Sequence, residues 1–220
     1  MTVIRCLLVA KAPVPGRAKT RLGATVGHAA AAELAAASFL DSVTACTAAF
    51  GPGRCVLALD GDLSRGIRGR EIAAALRGWT VVGQSGEGLG ERLARAHEDA
   101  GPGQVVQIGM DTPQVTPDLL TQLADLLVDH HAAVGPAVDG GWWGLALRAP
   151  RDARVLPTVP MSRPDTGART VAALVNAGLD VALGGRLRDV DTAADAEAVA
   201  RECPGTRFAE AWWQRARVAS

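Results

Sequence analysis

The sequence has no excess charge of either sign, no closely spaced cysteine pair and almost no lysine. Its 23 basic and 23 acidic residues balance, so it lacks the one-sided charge that attracts nucleic acids or membrane surfaces. The four cysteines show no CxxC spacing, a pattern typical of reduced thiols in a cytoplasmic protein. None of these properties points to a nucleic-acid partner or to a disulfide framework.

The sequence also lacks long apolar runs and segments that would divide it into separate domains. No run looks long enough to span a bilayer, and the amino-terminal MTVIRCLLVA is too short for a secretory signal. We therefore expect a cytoplasmic protein without a membrane partner. No internal repeat, low-complexity tract or linker divides the sequence, which predicts one domain over residues 1–220.

What the sequence contains is an alternation of short apolar runs and helical segments. Strands are predicted over residues 3–10, 55–59, 79–82 and 104–109, with a further strand near 181. Helices are predicted over 27 to about 50, 72–76, 89–100, 117 to about 128, 167–177, and after Thr192. The stretch AAVGPAVDGGWWGLALRAP predicts two antiparallel strands joined by a glycine-rich turn and appended to the α/β part. The predicted fold is α/β, a mostly parallel sheet flanked by helices with a small antiparallel part.

The loop after the first strand, AKAPVPGRAKTRLG, contains both lysines of the chain. Its four cations, Lys11, Arg17, Lys19 and Arg21, have no acid between them, so an anion would relieve their repulsion. Gly16 allows a ligand to approach the backbone closely, and a lysine ammonium acts as a compact point charge on phosphate oxygens. We interpret the loop as a phosphate cradle; the alternative is a solvated basic loop. The Walker A pattern is absent, which disfavours a P-loop NTPase.

A lone aspartate, Asp111, follows the fourth strand in GMDTP. It would lie at the same edge of the sheet as the basic loop, where ligands bind in open α/β folds. Mg²⁺ or Mn²⁺ is held by one or two carboxylates plus ligand oxygens, with Asp189 or Asp191 as the second acid. The alternatives are a turn aspartate at 111 and a helix cap at 191.

The stretch VDGGWW has the composition of a carbohydrate subsite, in which a carboxylate accepts hydroxyl hydrogen bonds and an indole stacks on the sugar. Only one of Trp142 and Trp143 can face the cleft, because neighbouring strand residues point to opposite faces. Trp212 and Trp213 are expected to form a packing patch or a contact in a homodimer. The four histidines lack ligand spacing and are expected at the surface or as partners of a helix carboxyl-terminal dipole: His28, His97, His130 and His131.

Five stretches occur in an order that resembles a known superfamily: KAPVPGRAKTRL, GEGLGERL, GMDTP, GPAVDGGWWGLAL and DVDTAADAEAV. Together they resemble the nucleotide-diphospho-sugar transferases of the GT-A fold, over nearly the whole chain. The nearest likeness is to a bacterial branch of glycosyltransferases, some associated with arsenosugar-type pathways. Phospholactate and molybdenum-cofactor guanylyltransferases look like more distant relatives. The resemblance implies a Rossmann-like GT-A fold.

The resemblance also implies roles for individual residues. The first loop would wrap the nucleotide phosphates with Lys11, Gly16, Arg17, Lys19 and Arg21. The loop after the third strand would hold the base with Gln84, Gly88, Leu89 and Gly90. Asp111 would bind the metal, with Asp191 favoured over Asp189 as its partner. The DGG turn would hold the sugar or acceptor with Asp139, Gly140, Gly141 and Trp142.

The implied activity is metal-dependent transfer of a sugar from a nucleoside diphosphate sugar to a small-molecule acceptor, with Lys19, Asp111 and Asp139 as the catalytic residues. Trp142–Trp143 and Met161–Ser162 depart from the tyrosines and the Trp-Ser usual in this branch, which leaves the acceptor open. Two alternatives remain. One joins a nucleoside triphosphate to a phosphorylated small molecule and releases pyrophosphate. The other binds nucleotide sugars without catalysis.

Overall fold

The computed structural model describes residues 3–218 and arranges their strands in one sheet. Within these residues seven strands follow the order β3-β2-β1-β4-β6-β5-β7. The strands are β1 (Ile4–Lys11), β2 (Cys55–Asp60), β3 (Thr80–Gly83), β4 (Gln104–Gly109), β5 (Ala132–Pro136), β6 (Trp142–Leu147) and β7 (Val181–Leu183). The α-helices are α1 (Thr20–Val26), α2 (His28–Phe50), α3 (Gly69–Ala75), α4 (Leu89–Asp99), α5 (Pro117–Asp125), α6 (Thr166–Asn176), α7 (Ala193–Glu202) and α8 (Arg207–Val218).

The sheet is mostly parallel, as predicted. Strands β3, β2, β1 and β4 form three successive parallel pairs, and β5 pairs in parallel with β7. Among these seven strands only β6 runs the other way, between β4 and β5. The prediction that the antiparallel pair is appended to the α/β part was wrong: the hairpin places β6 inside the sheet. The periodicity of a strand reveals its faces but not its neighbours.

Each face of the sheet is covered by helices because the central strands are apolar on both sides. On β1, Cys6 and Leu8 pack in one buried cluster with Phe39 of α2. Leu7, on the opposite face, packs with Ala96 of α4. This two-sided burial holds the carboxyl ends of β1, β2 and β4 at a common edge.

Helix α2 corrects the expectation that no apolar run is long enough to span a bilayer. Its 23 residues are long and apolar enough by length and composition. However, 72% of its most apolar window is buried inside the protein, as expected for the core helix of an α/β fold. The structure reproduces its predicted bounds to within one residue, because Gly27 (φ 88°) and Gly51 (φ 78°) bound it at both ends.

Three segments of seven or more residues were not predicted as separate elements: α1, α8 and a 3-10 segment over Pro150–Thr158. Helix α1 has only seven residues and two basic side chains beside it, so its periodicity is too short to recognise. Within α8, Trp212 is 5% exposed and packs with Phe208. The packing interpretation of Trp212 is thus confirmed.

The surface prediction for His97 was wrong. His97 is fully buried between α4 and the sheet, and its Nε2 lies 2.8 Å from the side-chain oxygen of Gln107 on β4. Burial lowers the pKa of His97 to about 4, although the hydrogen bond with Gln107 opposes this shift. His97 is therefore a neutral core residue at physiological pH.

Candidate functional site

Two groups of charged residues lie where strands of the sheet end. The first, named here the lysine–aspartate cluster, consists of Lys19, Arg21, Asp111, Asp189 and Asp191. The second is a cavity of about 480 Å³, named here the β1–β2 cavity and lined by Lys11, Ala12, Val14, Arg17, Asp60, Gly61, Asp62 and Arg65. The basic loop after β1 joins the two, since it lines the cavity and ends at Lys19.

Lys19 is the centre of the lysine–aspartate cluster. Its Nζ lies 2.8 Å from Asp111 Oδ1 and 3.6 Å from Asp191 Oδ1, and it donates to the carbonyl of Val190. An ammonium has three N–H donors; here one hydrogen-bonds to the Val190 carbonyl, and two carboxylates lie within ion-pair distance. The side chain is only 8% exposed. Lys19 therefore connects the loop after β1 to the loop after β4 and to the segment before α7.

The backbone around these side chains is fixed by the same segments. Val190 donates its N–H to the carbonyl of Asp111 at 3.0 Å, and Gln114 donates its amide to the carbonyl of Arg188 at 2.7 Å. Lys19 itself has the left-handed conformation (φ 50°, ψ 48°) immediately before α1. A non-glycine residue in that region is strained, and its three polar contacts offset the strain.

Asp191 does not cap α7, contrary to one of the alternatives. Thr192 is the N-cap, and Asp195 completes a capping box with it. Asp191 is thereby left to accept contacts from Lys19 and, at 3.3 Å, from Arg21. The sequence correctly indicated a helix start here, but the capping residues are Thr192 and Asp195, which follow Asp191 in the chain.

Asp189 and Asp139 share the electrostatic environment of Asp111. Burial, followed by the charges of Asp111 and Asp139, raises the pKa of Asp189 to about 7, against the lowering effect of Lys19. The Oδ1 atom of Asp189 is buried without a hydrogen-bond partner among the described residues. Asp139 itself is exposed in the turn between β5 and β6. The turn and the loop after β4 are therefore close enough for their charges to interact.

The donor atoms of the cluster suit a divalent cation in part. Within residues 3–218 no three His, Cys, Asp or Glu side chains are arranged as a metal site. Asp111 and Asp191 nevertheless both contact one ammonium, which marks a point where positive charge is stabilised, and the Asp189 oxygen has no partner in the same part of the chain. Two carboxylates completed by water and ligand oxygens suit Mg²⁺ or Mn²⁺. The donors fit the ion, provided that Lys19 moves aside or shares them.

The β1–β2 cavity contains the remaining cations of the basic loop. Lys11 Nζ lies 3.3 Å from Asp60 Oδ2, so the chain itself supplies part of the negative charge that neutralises the basic loop. Arg17 and Arg65 line the cavity, and neither forms an ion pair within the described part of the chain. At Gly16 (φ 76°) an added Cβ would meet no atom within 4 Å, so the backbone there is open to solvent. The cavity can therefore accept an anionic ligand at these two guanidinium groups.

Of the residues predicted to hold a base, Gln84 reaches this region. Its Nε2 donates to the carbonyls of Ala10 at 2.9 Å and Ala58 at 3.0 Å. Gly90 is instead buried in α4, where a Cβ would lie 2.3 Å from the carbonyl oxygen of Leu156. Its glycine is explained by helix packing. Gly88 and Leu89 are exposed at the start of α4.

The backbone conformation and close packing of the DGG turn explain its glycines. Gly140 has φ 89°, and a Cβ there would lie 1.7 Å from the carbonyl oxygen of Pro164. Asp139 Oδ1 accepts the N–H of Gly141 at 2.9 Å, and the Gly140 carbonyl accepts the N–H of Gly167 at the start of α6 at 2.8 Å. The turn is thus held in one shape against α6, with Asp139 exposed at its tip.

The two tryptophans after the turn point to opposite sides, as predicted. Trp143 is 3% exposed, and its indole N–H donates to the carbonyl of Gly185 at 2.9 Å. Trp142 is half-buried and donates to Thr170 Oγ1 of α6 at 3.2 Å. Trp143 is the core residue of the pair, and Trp142 keeps a partly exposed ring.

Four charged residues of the site were not predicted: Asp60, Asp62, Arg65 and Arg92. Asp60 ends β2 beside Lys11, and Arg92 of α4 contacts the same Asp60 oxygen at 3.5 Å. The position of Asp60 at the end of a predicted parallel strand was a usable signal. Arg92 gave none, because an arginine in an amphipathic helix is usually a solvated residue.

Comparison with solved structures identifies the fold. A protein from Desulfovibrio desulfuricans G20, provisionally assigned as a nucleotide-diphospho-sugar transferase, aligns with a TM-score of 0.79 at 28% identity, over 93% of this chain and 89% of its own. A cytidylyltransferase from Leptospira borgpetersenii serovar Hardjo-bovis aligns with a TM-score of 0.60 at 14% identity, over 90% and 85%.

A third structure, CMP-2-keto-3-deoxy-manno-octonic acid synthetase in complex with CTP, gives a TM-score of 0.52 at 14% identity, over 89% and 96%. At this identity the last two structures establish the shared fold. The chain thus has the predicted α/β fold of the nucleotide-diphospho-sugar transferase and nucleotidyltransferase group. No curated protein matches the sequence.

A family model matches residues 43–163, which is more than half of the 220 residues. The matched part runs from within α2 to the loop before α6, so it includes Asp60, Gln84, Asp111 and Asp139 but not the basic loop. The chain belongs to the family described as "Uncharacterized protein conserved in bacteria (DUF2064)".

Proposed function

We propose that this protein is a nucleotide-dependent transferase that moves a sugar from a nucleoside diphosphate sugar to a small-molecule acceptor. The observation that carries the proposal is the 2.8 Å contact between Lys19 Nζ and Asp111 Oδ1. It joins the basic loop after β1 to the aspartate after β4, the two features that a bound diphosphate requires. The likeness to the Desulfovibrio protein over nearly the whole chain supports the donor class.

In this proposal the donor lies along the carboxyl edge of the sheet, with its phosphates between the basic loop and Asp111. Arg17 is exposed and free of ion pairs in the described chain, so it is the first cation that an incoming phosphate meets. Lys19 and Arg21 then neutralise the charge that develops on the departing diphosphate. The resulting catalysis is electrostatic and positional.

Asp111 and Asp191 would hold Mg²⁺ or Mn²⁺, which supplies further positive charge at the diphosphate oxygens. Asp139, exposed at the tip of a rigid turn, would bind a sugar hydroxyl or accept a proton from the acceptor. Gly140 and Gly141 hold that turn, and the half-exposed ring of Trp142 adds an apolar wall. We place this reaction in the cytoplasm, within one domain over residues 1–220.

A second candidate function is nucleotidyl transfer from a nucleoside triphosphate to a phosphorylated small molecule. The specific observation in its favour is that Arg17 and Arg65 of the β1–β2 cavity form no ion pair within the described residues. Together with Lys11 they suit a ligand with more negative charge than a diphosphate. Release of pyrophosphate from triphosphates mixed with candidate phosphosugars would separate this reaction from sugar transfer.

The proposal is tested by calorimetric titration of a panel of nucleotide sugars with Mg²⁺ or Mn²⁺. Asp111→Asn should weaken binding about 10-fold or more, since a charge-assisted contact contributes roughly 1.5–3 kcal/mol. Asp118→Asn is the matched control, because Asp118 is an exposed acid in the first turn of α5. Equal binding by the wild type and the Asp111 variant would contradict the proposed site. Binding without turnover of any acceptor would instead indicate a nucleotide-sugar-binding protein.

A further inference from the structure

The β1–β2 cavity, together with Gln84 beside it, offers hydrogen-bond acceptors and positive charges at different positions. Strand register places Asp60 beside Lys11. Gln84 follows Gly83, the partner of Leu59, and donates its N–H to Leu59 at 3.0 Å. Residues at equal register on neighbouring parallel strands point to the same face, so Asp60 and Gln84 lie side by side.

The amide of Gln84 can present only its oxygen to a ligand. Both of its N–H donors are used, one on the carbonyl of Ala10 and one on that of Ala58. This assignment follows from the two carbonyl partners, since the opposite orientation would set oxygen against oxygen. The Oε1 atom accepts no hydrogen bond from the described part of the chain.

Asp60 is in a similar situation. Lys11 and Arg92 both make their closest contacts with Oδ2, at 3.3 and 3.5 Å. Oδ1 accepts no hydrogen bond from residues 3–218, and the side chain is 37% exposed. Both cations therefore contact the same carboxylate oxygen and leave Oδ1 available. The second acid of the cavity, Asp62, uses both carboxylate oxygens within the chain. It accepts hydrogen bonds from the N–H and the hydroxyl of Ser64, each at 2.8 Å.

Resting on the proposed nucleotide-dependent function, we propose that the base bound here is guanine. Among the four bases only guanine presents two adjacent N–H donors, N1–H and the 2-amino group, on its pairing edge. Two neighbouring acceptors match that edge: in this proposal Asp60 Oδ1 accepts from the 2-amino group and Gln84 Oε1 accepts from N1–H. Adenine, cytosine and uracil each direct at least one acceptor toward it, which leaves two acceptors facing each other.

The order of the strands agrees with a nucleotide in this orientation. Gln84 follows β3, Asp60 and Lys11 end β2 and β1, and Asp111 lies just after β4, the next strand along the sheet. Three strand spacings amount to roughly 14 Å. A ligand made of a base, a ribose and two phosphates in series can extend from the acceptor pair to the lysine–aspartate cluster over that span. Arg17, which lines the β1–β2 cavity, would contact its phosphates.

The experiment is calorimetric titration with GDP, IDP, ADP, CDP and UDP in the presence of Mg²⁺. IDP lacks only the 2-amino group, so GDP should bind about 10-fold to 100-fold more tightly than IDP, and more tightly than the other three. In Asp60→Asn the ratio of GDP to IDP affinity should fall toward one. Asp62→Asn, in the same cavity, should keep the wild-type ratio. Thermal unfolding of both variants checks that they are folded.

The outcomes separate this inference from the proposed function. Preference for another base, or an unchanged ratio in Asp60→Asn, would overturn guanine recognition while leaving a nucleotide-binding transferase. Failure of all five diphosphates and of the nucleotide-sugar panel to bind would overturn both.

Discussion

Replacing Lys19 by Met should destabilise the protein and at the same time create a better site for a divalent cation. Methionine keeps the unbranched chain and the same left-handed backbone, so only the ammonium is removed. The lost contacts join an 8% exposed ammonium to two carboxylates that are 44% and 42% exposed. Breaking fully buried pairs costs about 3–5 kcal/mol and exposed ones at most about 1. For this intermediate case we expect a loss of about 2 kcal/mol.

For a chain of this length that loss corresponds to a fall of about 4–8 °C in Tm. Without Lys19, Asp111 and Asp191 repel each other and Mg²⁺ can take the ammonium's place. At 100 times its Kd, an ion that binds only the folded state stabilises it by about 2.7 kcal/mol. Mg²⁺ should therefore restore most of the lost Tm in Lys19→Met and raise the wild-type Tm much less.

The matched control is Arg21→Met, which removes a 3.3 Å contact with the same Asp191 from a 75% exposed side chain. Its effect on stability should stay below about 1 kcal/mol. Scanning calorimetry of the three proteins with and without Mg²⁺ gives every comparison. If Mg²⁺ shifted the Tm of all three equally, the ammonium would not occupy the cation's position, and the reasoning would be refuted.

Three further predictions concern the stability of the fold and are measured by denaturant unfolding. Gly90→Ala should cost at least about 2 kcal/mol, because its Cβ would lie 2.3 Å from the Leu156 carbonyl oxygen, whereas Gly88→Ala, with open space around it, should change stability by less than about 0.5. His97 has a pKa of about 4 in the folded protein against 6.5 ordinarily, so the wild type should lose up to about 3 kcal/mol as the pH falls from 6.5 to 4; His97→Leu should lack that slope. The contribution of Asp189 to stability changes with pH in the opposite direction, since its pKa is raised from 3.8 to about 7. Without divalent cations, Asp189→Asn should gain about 2–4 kcal/mol relative to the wild type between pH 4 and pH 8, and a flat difference would show that Asp189 is ionised throughout.

Much of the fold could be predicted from sequence because its signals are local. Apolar runs ending at glycine or proline gave the parallel strands, and Gly27 and Gly51 bounded the longest helix. The neighbours of each strand were not predictable in this way. Nothing in the periodicity of Trp142–Leu147 indicates that this strand lies between β4 and β5. The burial of His97 likewise depends on Gln107, a partner on a different element.

The candidate site shows the same division. The sequence identified the loops that meet at the carboxyl edge, because parallel strands bring their ends together. It did not identify which side chains pair there. Lys11 contacts Asp60, and Lys19 contacts Asp111 and Asp191. Each pair joins residues from separate segments of the chain, and their distances depend on how those segments pair and pack.

These pairings change the argument that the four cations of the basic loop require an external anion. The chain supplies carboxylates to Lys11, Lys19 and Arg21, so only Arg17 lacks an ion-pair partner within residues 3–218. Binding of a phosphate to either lysine must then be an exchange in which a carboxylate is released. The released Asp111 and Asp191 are the groups that a divalent cation would bind. A metal ion and an anionic ligand should therefore bind cooperatively, because each takes the partner that the other sets free.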